Sequence, residues 1–232
     1  MKSLYLLVNF FTVIVPFVFS FHPKLKFNKE FKYFFLANFL VAFTFITSDI
    51  FFTKLEVWGF NPEYVTGLYL VNLPIEEVLF FICIPFACVF TYHCLNLFIK
   101  PSWKPQTENI IILSLSIPLL VTGILFIDKL YTSFTFISLG ILLLLFKYVL
   151  KLDWLPKLLG MYAILLIPFF IVNGILTGTW IDNPVVWYNN DENLGIRLMT
   201  IPVEDVFYGF ELILLNVCLY EYFKSNRLKT RK

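Results

Sequence analysis

Two pairs of adjacent carboxylic acids stand at the head of long apolar segments in this sequence. Glu76 and Glu77 open an apolar run that ends near Phe98, and Glu204 and Asp205 open the last apolar run. Ionisable groups in such segments are costly, so they indicate a functional site. Burial and like charges favour retention of at least one proton, although a helix dipole opposes this. A neutral carboxyl beside an ionised one can perform acid–base catalysis.

Each acid pair follows a proline, which favours the first turn of a helix. Pro74 and Pro202 precede the two pairs, and proline loses no hydrogen bond in a first helical turn. Adjacent helical residues point about 100° apart, so one acid of each pair can face the bundle interior. Helix capping is the alternative interpretation, because acids are common at helix starts. Capping accounts for one acid in each pair better than for two.

Aromatic residues near the acid pairs are candidates for stabilising a cation. Phe80 and Phe81 follow the first pair, and Phe207 and Tyr208 follow the second. An aromatic ring face attracts a positive charge. Most of the other phenylalanines are interpreted as lipid-facing or packing residues.

Three polar residues inside the apolar runs are further candidates. Glu211 lies seven residues after Glu204, on the same helical face, while Asp49 and Asn173 lie in the second and sixth runs. Each can extend the site or form an interhelical hydrogen bond. Arg197 precedes the second pair, where it can pair with an acid or mark the membrane interface.

Composition places the whole chain in a membrane. Of 232 residues 59% are hydrophobic and 15% are charged, with a mean hydropathy of +0.80. Soluble domains are about 45–50% apolar and about 25% charged. A net charge of +2 gives no electrostatic case for nucleic acid, and the four cysteines and two histidines lack metal-ligand spacing. No metal is therefore predicted.

Seven apolar runs approach the roughly 20 residues that a spanning helix needs. They cover residues 4–21, 33–52, 74–98, 110–127, 134–150, 158–176 and 202–223. The first run lacks a small-residue cleavage site, so it is interpreted as a retained helix rather than a signal peptide. The predicted fold is therefore an all-α polytopic membrane protein with seven transmembrane helices.

The basic residues predict the orientation of this bundle. Fourteen of the 18 basic residues lie in alternate connections and the tail: Lys24, Lys26, Lys29, Lys32, Lys100, Lys104, Lys147, Lys151, Lys157, Lys224, Arg227, Lys229, Arg231 and Lys232. The other side carries four: Lys2, Lys54, Lys129 and Arg197. The positive-inside rule then predicts a cell-membrane protein with an outer N-terminus and a cytoplasmic C-terminus. The two long loops, 53–72 and 177–200, are outer, and their Trp58, Trp180 and Trp187 suit a membrane interface.

The sequence repeats at an offset of 128 residues. Both acid pairs match at this offset, as do Asn61 with Asn189, Gly67 with Gly195, and Tyr92 with Tyr220; Val57-Trp58 matches Val186-Trp187 with a slip of one. We expect a first three-helix repeat over 1–100, a connector helix over 101–130, and a second repeat over 131–232. The connector makes the two repeats parallel, related by an axis along the membrane normal. Both acid pairs then enter at similar depth.

These features resemble the integral-membrane, flavin-independent lycopene cyclase family. The resemblance rests on Pro74-Ile75-Glu76-Glu77 with Phe80-Phe81, and on Pro202-Val203-Glu204-Asp205. It also rests on the setting of these motifs in two three-helix repeats, as in the fused members of the family. It spans essentially the whole chain, although Asp205 and Tyr208 depart from the first copy of the motif.

The resemblance implies cyclisation of a linear carotene such as lycopene to a β-ring product. An acid protonates the terminal double bond, the cation closes a six-membered ring, and a base removes a proton. This isomerisation needs no redox cofactor, and no dinucleotide-binding motif is present. The predicted catalytic residues are Glu76, Glu77, Glu204 and Asp205. The predicted substrate-binding residues are Pro74, Phe80, Phe81, Pro202, Phe207, Tyr208, Glu211, Asn173 and Asp49.

Four other classes of membrane protein compete with this interpretation. A proton-coupled transporter predicts polar groups along several helices, whereas most acids here cluster at one depth. A retinal protein needs a lysine in the middle of the last helix, and a prenyltransferase needs Asp-rich motifs; the sequence has neither. A non-catalytic carotenoid-binding or assembly protein stays open. Oligomeric state is not predicted.

Overall fold

The chain is predominantly helical. The computed structural model describes residues 2–98 and 104–229, with side chains through residue 225. About 71% is helical. Seven helices form within the described residues: α1 (Leu4–Phe19), α2 (Phe31–Lys54), α3 (Ile75–Phe98), α4 (Pro105–Leu125), α5 (Leu130–Leu144), α6 (Leu155–Thr177) and α7 (Val203–Lys229). A 3₁₀ turn (Phe27–Glu30) precedes α2, and a π-helical turn (Leu145–Val149) extends α5.

Helix length and composition indicate a multi-pass membrane protein, as predicted. Six helices, α2 to α7, are long and apolar enough to cross a membrane. Helix α1 is apolar but has 16 residues, fewer than the roughly 20 that a spanning helix needs. The prediction of long apolar helices is therefore confirmed for six of the seven runs.

Short strands lie in the two long loops and directly after them, which the all-α prediction missed. The six strands are β1 (Trp58–Phe60), β2 (Tyr69–Leu70), β3 (Leu73–Pro74), β4 (Val186–Tyr188), β5 (Arg197–Leu198) and β6 (Ile201–Pro202). They form three antiparallel pairs, β1 with β4, β2 with β3, and β5 with β6. Pro74 and Pro202 therefore end hairpins, and the prediction of a first helical turn for them is wrong by one residue. Cross-strand pairing with Tyr69 and Arg197 holds the two prolines extended.

The β1–β4 pair, which we call the strap, joins the two long loops. Trp58 pairs with Tyr188, and Phe60 pairs with Val186. Positions 58 and 186 are 128 residues apart, and so are positions 60 and 188. The offset of the repeat therefore exchanges the pair Trp58–Tyr188 with the pair Phe60–Val186. The strap thus brings equivalent segments of the two halves face to face.

Reciprocal hydrogen bonds flank the strap. The Asn61 amide donates to the Val185 carbonyl at 2.8 Å, and the Asn189 amide donates to the Val57 carbonyl at 2.9 Å. Val57 and Val185 differ by 128, so these two hydrogen bonds follow the offset of 128 without a slip. The Val-Trp dipeptides match only with a slip of one, because tryptophan occupies different places on the two strands.

Helix ends alternate between the two sides of the bundle. The Tyr5 amide donates to the Tyr64 carbonyl and the Tyr131 amide donates to Glu192, so α1 and α5 begin at the end that carries the strap. Helices α3 and α7 begin at this same strap end, directly after the hairpins. Both acid-bearing helices therefore begin at the same end of the bundle, as predicted. The last helix, α7, ends at the opposite end.

The opposite end carries contacts among the remaining connections. The His93 ring bonds the Leu25 carbonyl at 2.8 Å, and Lys224 lies 3.7 Å from Glu30. Lys100, Arg231 and Lys232, like the predicted boundary at residues 100 and 101, lie outside the described residues. The direction in which this end faces stays a prediction.

Helix packing brings the acid-bearing helices into contact with α1, α2 and α5. Helix α1 packs along α3, α2 along α7, and α5 along both α4 and α7. A buried polar contact joins three of them, because Asn38 donates its amide to Asn216 at 3.1 Å and to the Phe81 carbonyl at 2.9 Å. Such interhelical bonds average about 0.6 kcal/mol in membrane proteins.

Candidate active site

The two acids of each pair face different surroundings. Glu77 and Asp205 line one cavity inside the bundle. Glu76 and Glu204 are fully buried, at 0% exposure, and bond the loop that precedes their own helix. This confirms the prediction that one acid of each pair faces the interior, and it follows from their separation of about 100° on a helix.

Glu76 and Glu204 anchor equivalent loops. The Thr66 amide donates to Glu76 Oε1 at 2.7 Å, and the Leu194 amide donates to Glu204 Oε1 at 2.8 Å. Thr132 of α5 adds a hydroxyl bond to the same Glu204 oxygen at 2.6 Å. The Oε2 atoms of both acids are buried without a hydrogen-bond partner in the described part of the chain. These contacts give the two acids a structural task, and their catalytic role stays a prediction.

The matched glycines of the repeat lie beside these anchors. Gly67 and Gly195 directly follow the donating residues and have φ values of +89° and +70°. Glycine adopts this left-handed region without the steric cost that a Cβ brings. The repeated glycine therefore allows the turn that presents an amide to the buried acid.

Tyrosine hydroxyls bind both acids of the cavity. Tyr5 of α1 donates to Glu77 Oε2. Asp205 accepts two such bonds, from Tyr131 to Oδ1 at 2.6 Å and from Tyr188 to Oδ2 at 2.9 Å. Both oxygens of Asp205 are thus occupied by hydroxyl donors from two different elements, α5 and β4.

Tyr188 lies outside the membrane-spanning helices and keeps its proton. Burial raises the pKa of Tyr188 well above its ordinary value, and the negative charge of Asp205 raises it further, while Arg197 opposes the shift. The Arg197 guanidinium lies 5.4 Å from the centroid of the Tyr188 ring. It also donates to Asn190 at 2.6 Å. Arg197 thus contacts a partner of Asp205, and the described residues show no ion pair between Arg197 and an acid. The alternative prediction, that Arg197 marks the membrane interface, stays a prediction.

The cavity between the acids is large and apolar. Its volume is about 620 Å³, within the usual range of about 300–1,000 Å³ for ligand pockets. Its wall follows α3 from Glu77 to Thr91, a length of about 21 Å at about 1.5 Å per residue. The acids lie at the strap end, and aliphatic and aromatic side chains line most of the remainder. This shape suits a long apolar ligand with one end beside the acids.

One side of the cavity meets the lipid-facing surface. Its wall includes Phe11 of α1 and Ile171 of α6, which are 66% and 52% exposed. The cavity wall therefore includes side chains of α1 and α6 that are also exposed on the apolar outer surface of the bundle.

Aromatic rings surround the acid end of the cavity. Phe80, Phe81 and Tyr208 line it, and their contact with a cation stays a prediction. The Tyr208 ring lies 5.8 Å from that of Tyr131 and 6.1 Å from that of Trp58, measured between centroids. The Tyr208 hydroxyl is buried without a hydrogen-bond partner among the described residues. Aromatic faces and a free hydroxyl therefore converge where the acids meet the ligand space.

Of the other predicted substrate-binding residues, one lines the cavity and five do not. Asn173 lines the cavity and donates within its own helix, to Phe169 at 3.1 Å. The residues that the structure places outside the lining are Pro74, Pro202, Phe207, Asp49 and Glu211.

Asp49 and Glu211 have specific hydrogen-bond donors outside the cavity. Asp49 accepts from the Trp58 indole at 2.5 Å and from Thr53 at 3.4 Å. Glu211 accepts from Ser138 of α5 at 2.8 Å, which matches the predicted interhelical alternative. A direct contact of these two acids with substrate stays a prediction.

Sequence reasoning missed the aromatic donors to the acids. Tyr5, Tyr131 and Tyr188 were not singled out, although Tyr5 and Tyr131 stand near the starts of equivalent helices. Trp58 was predicted at the membrane interface, which is wrong because it is only 6% exposed and binds Asp49. These residues share one property, an aromatic side chain with a polar hydrogen-bond donor, and each donates to a buried acid.

The described residues contain no group of three or more histidine, cysteine, aspartate or glutamate side chains arranged to hold a metal ion. The four cysteines are free thiols. The titratable side chains that line the cavity are Glu77, Asp205, Cys88, Tyr5, Tyr131, Tyr162, Tyr188 and Tyr208.

The fold and the cavity define a polytopic helical membrane protein with two acids in an apolar ligand site. A family model for lycopene cyclase matches residues 2–95 and 128–223, and the chain belongs to this family. The two matched regions begin 126 residues apart and each ends within an acid-bearing helix, α3 or α7. Neither a curated protein nor a solved structure matches the chain. Membership supports carotenoid cyclase activity on a carotene substrate.

Proposed function

We propose that this protein converts lycopene, or a related linear carotene, to a β-ring product by acid–base cyclisation in the cavity between Glu77 and Asp205. The observation that carries this proposal is that one acid from each repeated motif lines the same apolar cavity. A cyclase needs one proton donor and one proton acceptor at a single end group. Two such groups in one apolar cavity match this requirement.

The reaction balances without an external reactant. One carboxyl protonates the terminal double bond, which leaves a tertiary cation on the neighbouring carbon. The next double bond attacks this cation and closes a six-membered ring, and the positive charge moves into the ring. A carboxylate then removes a proton from the ring carbon next to the polyene chain, giving a β-ring. One proton enters and one leaves, so the product is an isomer of the substrate.

The surroundings of the acids suit a carbocation. Phe80, Phe81 and Tyr208 present rings at the acid end of the cavity, and ring faces attract cations. The apolar wall keeps water away from a reactive intermediate, which prevents capture of the cation as an alcohol. We propose that the substrate enters from lipid beside Phe11 and Ile171, which belong both to the cavity wall and to the exposed surface.

We propose that the fold consists of two parallel three-helix repeats, α1–α3 and α5–α7, with α4 as connector. The reciprocal hydrogen bonds of Asn61 with Val185 and of Asn189 with Val57 support this arrangement. A two-fold axis along the membrane normal would produce such an exchange. In this arrangement all seven helices cross or enter the membrane, the N-terminus is outside, and the C-terminus is cytoplasmic.

The decisive experiment is expression in a host that accumulates lycopene, with analysis of the extracted pigments. We expect cyclic carotenes from the intact chain. The doubly neutralised variant Glu77→Gln/Asp205→Asn, at equal membrane abundance, should leave the linear pigment unchanged. Cyclic product at wild-type level from this variant would reject the two acids as the catalytic groups. Linear pigment bound by the intact chain but never cyclised would favour the carotenoid-binding alternative.

A further inference from the structure

The two cavity acids differ in their partners, although they occupy equivalent positions in the repeat. We propose that Asp205 is the ionised base, that Glu77 is the neutral acid, and that Tyr131 and Tyr188 are positioning residues that fix this division. The inference rests on the proposed cyclisation and assigns its two proton-transfer roles.

The hydrogen bonds of Asp205 favour its anion. A carboxylate accepts at both oxygens, whereas a neutral carboxyl must donate from one of them. Tyr131 donates to Oδ1 and Tyr188 donates to Oδ2. Tyrosine retains its proton near neutral pH, so both partners act as donors. Hydrogen bonds to an ionised acceptor are roughly twice as strong as neutral ones.

A cation reinforces this anion from the same side. Arg197 lies over the ring of Tyr188, 5.4 Å from its centroid. Its positive charge strengthens the hydroxyl of Tyr188 as a donor and stabilises the negative charge of Asp205. Arg197 is on β5, in the β5–β6 hairpin that precedes the acid-bearing helix.

The first half of the chain lacks both of these features. The residue 128 positions before Tyr188 is Phe60, and the residue 128 positions before Arg197 is Tyr69. Phe60 lines the cavity but has no hydroxyl to donate. Glu77 therefore keeps one phenolic partner, Tyr5, and has no cation at the equivalent place. The two halves differ at the positions that stabilise a negative charge.

The neighbouring Asp49 is a second difference between the surroundings of Glu77 and those of Asp205. The Asp49 carboxyl accepts bonds from Trp58 and Thr53 at one oxygen, Oδ1, and it acts electrostatically on the buried Glu77. A neighbouring like charge favours the neutral form of a carboxyl. Glu77 is thus the group suited to hold a proton before substrate binds.

The proton balance follows from these roles. Glu77 transfers its proton to the terminal double bond and becomes a carboxylate. Asp205 removes a proton from the ring and becomes neutral. One proton must return from Asp205 to Glu77 before the next turnover, and no net proton is consumed.

Deuterium exchange separates the two roles. Purified protein in detergent with lycopene in D₂O is assayed for cyclic product and for deuterium in the recovered linear carotene. With Asp205→Asn, protonation by Glu77 continues and reverses, so the recovered substrate should gain deuterium while cyclisation falls at least 100-fold. With Glu77→Gln, the recovered substrate should gain none.

The paired variant Tyr131→Phe/Tyr188→Phe tests the positioning role. We expect cyclisation to fall at least ten-fold, with deuterium entering the recovered substrate as in Asp205→Asn. Tyr92→Phe removes a buried hydroxyl from the opposite end of the bundle and should behave as wild type. Loss of cyclisation without such exchange in the paired variant would show general damage to the fold and overturn the positioning role.

The results distinguish this inference from the proposed function. If the wild type cyclises lycopene but the exchange occurs with Glu77→Gln instead, the roles are reversed and only the inference fails. Equal exchange in both single variants, including none in either, also overturns the assignment. If the wild type produces no cyclic carotene at all, the proposed function itself is rejected.

Discussion

At the scale of single residues, two neighbouring acids carry out different tasks in each half of the molecule. Glu76 and Glu204 each accept a loop amide, whereas Glu77 and Asp205 face the ligand cavity. The division arises because consecutive residues of a helix point about 100° apart. A buried acid at the start of a helix can therefore hold the loop that feeds the helix, while its neighbour is available for chemistry.

The first prediction concerns the two cavity acids as a unit. Glu77→Gln and Asp205→Asn should each abolish most cyclisation, and their combination should add little, because removals of groups that act together are strongly non-additive. The measurement is pigment conversion normalised to the amount of protein in the membrane. Glu63→Gln/Asp191→Asn is a matched control, because these exposed acids also lie 128 residues apart. Full activity in either single variant would refute a shared site.

The second prediction concerns the anchoring acid of the second half. Thr132→Val removes the hydroxyl that Glu204 accepts at 2.6 Å, and it leaves a buried acceptor less satisfied. Such a loss costs about 1–3 kcal/mol, so the midpoint of thermal unfolding in detergent should fall. Thr132→Ser keeps the hydroxyl and should retain more stability. The exposed Thr44→Val should have little effect, and an equal decrease there would contradict the assignment.

At the scale of elements, the strap connects the two halves over the acid end of the cavity. Trp58 and Tyr188 pair across it, and each carries a polar atom to a different acid, Asp49 or Asp205. The two three-residue strands of the strap thus supply hydrogen-bond donors to two carboxyls. The strap depends on a close approach at its centre, where Gly59 pairs with Trp187.

The third prediction tests this close approach. A Cβ on Gly59 would lie 2.4 Å from the Trp187 ring, so Gly59→Ala should displace the strap and lower cyclisation several-fold. Trp187→Ala removes the obstructing ring, so the double variant should recover part of the activity. Pigment conversion at equal protein level provides the measurement. If Gly59→Ala has no effect, or the second change gives no recovery, close packing of the strap is not required.

At the scale of the whole molecule, the alternation of helix ends places both acid pairs on one side. The strap, the starts of α1 and α5, and the starts of α3 and α7 share that side. The connections with most basic residues belong to the other side. This separation joins the helical arrangement to the proposed orientation in the membrane.

The fourth prediction is the orientation itself. Because 14 of the 18 basic residues lie in alternate connections and the tail, the positive-inside rule predicts that these segments are cytoplasmic. A reporter fused after Lys232 should be cytoplasmic, and one inserted near Asn189 should be external. The opposite pair of results would place the acid end of the cavity at the cytoplasmic face.

The fifth prediction concerns redox cofactors. Cyclisation changes no oxidation state, so purified protein should convert lycopene without added flavin or nicotinamide. The comparison is product formed with and without reduced FAD under anaerobic conditions. A strict requirement for the reduced flavin as a hydride donor would contradict the acid–base mechanism.

The chain's own pattern determined the features that depend on local composition and spacing. Apolar runs predicted the long helices because lipid requires them. The offset of 128 between Glu77 and Asp205 predicted equivalent helix starts, since an odd number of helices plus a connector returns the chain to one side. Adjacency of the acids predicted that only one of each pair faces inward.

Only the tertiary structure decided which partners make the two acids different. The strap pairs residues about 130 positions apart, and Tyr5 and Tyr131 reach acids 72 and 74 residues away. Strand pairing and interhelical hydrogen bonds depend on distances in space that no local period encodes. Tyr188 thereby reaches Asp205, while Phe60 at the equivalent position has no hydroxyl to offer Glu77. Packing alone brought these side chains together.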